Sequence, residues 1–195
     1  MLLPKRMGGA QTGPVSRWPD IRGLAAAVGP PLVAAVVGNA FISRDSLRWF
    51  GQLNRPRIQL PLPAFGLVGV IYYVQLGTVL YRAYLNHDSH VRRRALIVLA
   101  GNELWNVAFI GQRSPRNGFA GTLVFLVPLL ALQKSVSPDP ASMIALTPYT
   151  LWVVGYDVPW SYRLWRLNPD EVGARPPDPA PDESRSSLRR AGSRK

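Results

Sequence analysis

The sequence predicts an all-α membrane protein, a bundle of five transmembrane helices. Three observations carry that expectation. Apolar blocks recur at about residues 21–42, 63–85, 95–111, 118–133 and 141–160, each near the roughly 20 residues a helix needs to cross a bilayer core. These blocks lack the continuous polar stripe of a water-facing helix, and Thr122 to Leu132 is apolar on nearly every side. The 23 Lys and Arg residues, which set the net charge of +12, lie almost entirely outside the blocks, where anionic headgroups meet them. That placement makes membrane lipid the expected partner and argues against nucleic acid. With 195 residues the chain suits one domain. Its lack of cysteine excludes a disulfide, a thiolate nucleophile and a Cys-x-x-Cys-His haem attachment.

Residues 1–20 form a polar amino-terminal segment with Lys5, Arg6 and Arg17 and without the apolar core of a cleavable signal peptide, so the first helix is expected to be retained. That helix, about 21–43, contains Gly29-Pro30-Pro31. Proline removes backbone donors and kinks a helix, which a membrane bundle tolerates. Gly29, Ala34, Ala35 and Gly38 permit close helix contacts. The link that follows, about 43–63, carries Arg44, Arg48, Arg55 and Arg57, with Trp49 expected at the membrane interface. It is the longest link and therefore the candidate lid over one end of the bundle. The second helix, about 64–85, places Tyr73, Gly77 and Tyr81 on one stripe, with Arg82 expected to snorkel to the headgroups. His87 and His90 stand three apart in the next loop, but no third ligand accompanies them and no metal site is expected.

The third helix, about 95–111, interrupts its apolar run with Asn102, Glu103 and Asn106. At helical spacing Asn102, Trp105, Asn106 and Phe109 share a face, a candidate ligand wall. Glu103 lies roughly 100° from Asn102 and is expected to meet a different neighbour. The fourth helix spans about 118–134. In the fifth, about 141–164, Pro148 and Pro159 predict a bend or interruption. Asp157 of that helix is a functional candidate, because a carboxylate inside a membrane is costly; an ion pair with Arg163 is the structural alternative. Residues 169–195, rich in Pro, Asp, Ser and Arg, are expected to form a disordered basic tail.

Four stretches, taken in order, resemble the tryptophan-rich sensory protein family, also known as the translocator protein or peripheral benzodiazepine receptor family. They are Trp49-Phe50-x-x-Leu53-x-Arg55-Pro56; Phe65-Gly66-x-Val68 with Tyr73, Gly77 and Tyr81; Asn102-x-x-Trp105-x-x-x-Phe109; and Pro148-Tyr149-x-x-Trp152 with the closing Trp165-Arg166-Leu167-Asn168. The resemblance implies a five-helix bundle, commonly a homodimer, whose pocket opens near the first link and takes tetrapyrroles such as porphyrin or haem, or sterols. It implies no required cofactor; porphyrin or haem enters as ligand. The residues are compatible: Tyr73, Trp105, Tyr149 and Trp152 offer aromatic faces, Asn102 an orienting amide, and Trp49 a wall from the link. The chain departs from the family at Ile58, Pro63 and Gly69, where tryptophans are usual, and at Glu103 and Asp157.

The leading functional expectation is thus a multi-pass receptor or transporter-like protein of the cell membrane, with a sensory or regulatory role. A porphyrin-degrading enzyme is the alternative from another class, weakened by the missing tryptophans and the absence of a nucleophile–base pair. Proton-coupled transport through Glu103 and Asp157 is the third.

Overall fold

The computed structural model describes residues 21–169, so the polar amino-terminal segment and nearly all of the basic tail lie outside the described residues. The described chain is helical: α1 (Ile21–Ala40), α2 (Arg44–Gln52), α3 (Leu62–Leu85), α4 (Ser89–Asn106), α5 (Pro115–Ser135), α6 (Pro140–Trp152) and α7 (Val158–Leu167). A π-helical turn, Val107–Gly111, prolongs α4, and another, Val153–Asp157, joins α6 to α7. By length and composition α1, α3 and α5 can each cross a membrane.

The packing order closes a ring. α1 lies against α3 and α4, α3 against α6, α5 against α6 and α7, and α4 against α5, with α3 also touching α4. The core face of α3 is Tyr72, Leu76, Val79, Leu80 and Ala83, which meets Val98 and Leu99 of α4, Leu129 and Leu132 of α5 and Leu146 of α6. The outer surface is equally apolar: Val36, Val70, Val124, Val127, Ile144 and Leu151 are all exposed. A bundle that is apolar both inside and out suits hydrocarbon as its solvent.

In such a solvent apolar burial gives little preference for helix over lipid, so close contacts and interhelical hydrogen bonds hold the bundle together. Gly77 brings the α3 backbone to the Ala27 carbonyl of α1; a Cβ there would lie 3.3 Å from that oxygen. Tyr72 donates to the Val98 carbonyl at 3.3 Å, and Arg94 to the Ala131 carbonyl at 2.8 Å. Gln133 donates to Thr147 at 3.0 Å and accepts from Thr150 at 2.8 Å, tying α5 to α6. Arg82 does not simply snorkel to headgroups: its Nε and Nη2 donate to the two oxygens of Asp139, each at 2.6 Å. Asp139 also caps α6 by accepting from Ser142. The Arg82 guanidinium and the Ser142 hydroxyl together hold its carboxyl well below the ordinary carboxylate range.

Two boundaries correct the sequence reading and a third locates an expected break. The helix expected from 95 begins six residues earlier, at Ser89, because Asp88 accepts from the backbone N–H groups of His90 and Val91 and caps it there. The first link contains a nine-residue helix, α2, opened by a capping box between Ser43 and Ser46. The expected break in the last span falls at Val153–Asp157, just before Pro159, whereas Pro148 is accommodated inside α6. Pro159 cannot donate to the preceding turn, so the backbone changes period ahead of it.

Candidate functional site

Beneath α2, side chains from six elements of the chain form an aromatic cluster. α2 is amphipathic: Ser46, Trp49 and Phe50 are buried, and Leu53 continues the same face just past its end. Trp49 and Phe50 meet Phe109 edge-on, with ring centroids at 5.7 and 5.9 Å. Phe109 stands on the π turn after α4 and lies 5.8 Å from Trp160 of α7. Phe65 of α3 packs 5.2 Å from Trp160 and 6.0 Å from Tyr156, and Trp152 lies 4.4 Å from Tyr156. Trp49 and Trp160 are each 2% exposed, and neither indole N–H has a hydrogen-bond partner among the described residues.

The second cluster is polar and centres on Glu103, which is 7% exposed. Tyr73 of α3 donates its hydroxyl proton to Oε1 at 2.9 Å, and the Asn102 amide donates to the same oxygen at 3.1 Å. Asn106 donates to Oε2 at 3.1 Å. Tyr149 of α6 extends the network by donating to the Asn102 carbonyl oxygen at 3.3 Å. On the α1 side the carboxylate rests against Gly38, where an added Cβ would fall 1.9 Å from Oε2. One acid thereby connects α1, α3, α4 and α6.

The segment after α2 is held down at two points. Tyr156 accepts from the Leu60 N–H at 3.0 Å and donates to the Ile58 carbonyl at 3.1 Å. Asn168, at the end of α7, accepts from the Asn54 N–H at 2.8 Å and donates to the Asn54 carbonyl at 3.0 Å. Removing a buried partner strands the backbone groups it satisfied, at a cost of about 1–3 kcal/mol. Asn168→Ala is therefore expected to raise the rate of tryptic cleavage after the exposed Arg57 by about tenfold. An unchanged rate would show that this contact does not hold the segment.

Residues 27–159 match the TspO/MBR family. The chain belongs to that family. It is 24% identical over 138 residues to the Tryptophan-rich protein TspO of Archaeoglobus fulgidus, an alignment covering 69% of this chain and 90% of the relative. It is 26% identical over 154 residues to the Translocator protein of Homo sapiens, covering 74% of this chain and 89% of that protein. As a TspO/MBR member with long apolar helices, it is an integral membrane protein.

Seen as a TspO/MBR bundle, the predicted site divides into two. Asn102, Tyr73 and Tyr149 meet around Glu103, whereas Trp49, Phe109 and, through Tyr156, Trp152 belong to the aromatic cluster. Trp105 does not join Asn102 in one wall. Its indole donates to the Gly118 carbonyl at 2.9 Å and to Thr122 Oγ1 at 3.0 Å, which ties α4 to α5. Nor does Glu103 face away from Asn102, since its long side chain folds back to accept that amide. Trp49 is buried on the inner face of α2. Asp157 is not paired with Arg163; among the described residues the ion pairs are Arg48–Asp45 and Arg82–Asp139. Asp157 closes the π turn that follows Trp152. Phe50, Phe65, Tyr156 and Trp160 were missed as site residues. The Phe50 and Leu53 spacing after a Ser-x-x-Ser cap was a usable signal; the convergence of Phe65 with Trp160 had none in the sequence.

Proposed function

We propose that this TspO/MBR protein is a five-span receptor or transport-like protein that binds a flat hydrophobic ligand of the tetrapyrrole or sterol class beneath α2. Ser89 to Gly111 and Pro140 to Leu167, each continuous through its π turn, are the third and fifth spans of this reading, beside α1, α3 and α5. The same reading includes a homodimer in the cell membrane and a sensory or regulatory role. The observation that carries it is the pair of buried, unpartnered indole donors, Trp49 and Trp160, inside a cluster of aromatic faces. Buried N–H groups are nearly always hydrogen-bonded, so two in one cluster favour a ligand that brings acceptors, such as the carbonyls or carboxylates on a planar ring. The aromatic faces supply stacking area for such a ring.

Titration of the purified protein with protoporphyrin IX tests this. Saturable tryptophan quenching is expected, and Trp49→Phe or Trp160→Phe, which keep an aromatic face and remove the indole donor, should each weaken binding about fivefold. Quenching that never saturates, or affinities unchanged in both variants, would remove the reading.

A further inference from the structure

We infer that a second ligand site lies between α1 and α3, one that takes a cationic amphiphile from the bilayer: an apolar tail in the groove and an ammonium head at Tyr73, with Glu103 behind it. This goes beyond the planar-ligand reading and uses none of the aromatic cluster.

The groove has a volume of about 690 Å³, within the roughly 300–1,000 Å³ of small-molecule sites. Its walls are apolar, with Leu24, Val28 and Leu32 from α1 and Val70 and Val74 from α3. It opens towards the lipid, since Val74 is 64% exposed. Small residues make the room: Gly77 and Ala27 bring the two backbones together on the groove floor, where no longer side chain fills the space. Such a shape accepts an alkyl chain but by itself selects nothing, because every acyl chain of the bilayer is equally apolar.

Selection comes from Tyr73. It lines the groove and also donates to Glu103, so it joins the apolar channel to the buried carboxylate. A phenol that donates its proton retains lone pairs that can accept, and an N–H from the groove would complete a relay from ligand through Tyr73 to Glu103. The charge favours a cation. The donors on Glu103, namely Tyr73, Asn102 and Asn106, are all neutral, and no Lys, Arg or His forms an ion pair with it among the described residues. Those hydrogen bonds satisfy its oxygens without supplying a counter-cation, and in a site of weak dielectric response an ammonium from the groove would supply one. An ammonium group meets both requirements; an alcohol of equal length meets only the hydrogen bond, and an anion is repelled.

The test is equilibrium binding of radiolabelled dodecylamine, with dodecanol as its neutral counterpart, to the full chain in phosphatidylcholine nanodiscs against empty nanodiscs. Saturable amine binding is expected, at least about tenfold tighter than dodecanol, as for a charge-assisted contact. Glu103→Gln should abolish that preference and leave dodecanol unchanged. Val74→Trp, which fills the groove from the lipid side without touching the network, should block both ligands while leaving protoporphyrin quenching intact. That arm separates failure of this site from failure of the planar-ligand reading. If Glu103→Gln does not fold, Tyr73→Phe keeps the ring, removes the relay and should lose the same preference. No saturable binding above empty nanodiscs, equal binding of amine and alcohol, or an amine preference that survives in Glu103→Gln or Tyr73→Phe would overturn the proposal.

Discussion

Gly38→Ala is expected to destabilise the bundle by about 3 kcal/mol, far more than a methyl group added to a membrane helix ordinarily costs. The new Cβ would stand 1.9 Å from Glu103 Oε2 and 3.0 Å from the Asn106 amide nitrogen. No real contact is that short, so the carboxylate must move. A carboxylate at the end of a free side chain would do so easily. Here it is buried and accepts from Tyr73, Asn102 and Asn106, and moving it weakens charge-assisted hydrogen bonds that nothing else replaces. The penalty should therefore depend on Glu103. In a double-mutant cycle scored by unfolding in mixed detergent micelles, Gly38→Ala on a Glu103→Ala background should be nearly neutral, a coupling of about 2–3 kcal/mol. Additive effects would mean that α1 does not rest on the carboxylate.

Phe109→Ala is the second large effect, at about 3–5 kcal/mol, the range for truncating a buried aromatic ring. Its ring touches Trp49, Phe50, Trp105 and Trp160 and so joins the underside of α2 to α4 and α7. Gly118 of α5 shows how closely it is held, since a Cβ there would fall 2.5 Å from the ring. The expected results are a much lower unfolding midpoint and faster tryptic cleavage after Arg57, because α2 loses the ring against which it packs. Leu104→Ala on the same stretch of chain, 67% exposed, serves as the comparison and should change little. Comparable loss in both variants would show that the cluster contributes no more than generic lipid contact.

Much of this protein was readable before any coordinates. The apolar blocks marked out the helices, because a bilayer demands about 20 apolar residues whatever surrounds them. The placement of arginines outside those blocks pointed to lipid, and the order of Trp49, Tyr73, Asn102, Trp105 and Tyr149 pointed to the family that the match over 27–159 establishes. Local chemistry that travels with a few neighbouring residues was legible too, as at Pro159 and the interruption before it. The α2 cap at Ser43 and Ser46 was equally local but passed for an ordinary link, since a nine-residue helix is too short to announce itself by periodicity.

Tertiary structure alone decided who meets whom. Helical spacing places Asn102 and Trp105 near one face, but spacing cannot tell that Trp105 would be drawn to the Gly118 carbonyl of α5 while Asn102 turned to Tyr149 of α6. Nor can it tell that Glu103, 100° from Asn102 by the geometry of the backbone, has a side chain long enough to reach back to it. The sequence by itself determined a helical membrane protein of the TspO/MBR type with an unusual acid in its midst. Only the packing of α1 and α3 around that acid decided that it is enclosed by Gly38 and Tyr73, beside Asn102 of its own helix. The physical reason is that helices are specified by contacts a few residues apart, whereas a buried polar group takes its partners from whichever helices the bundle brings to it.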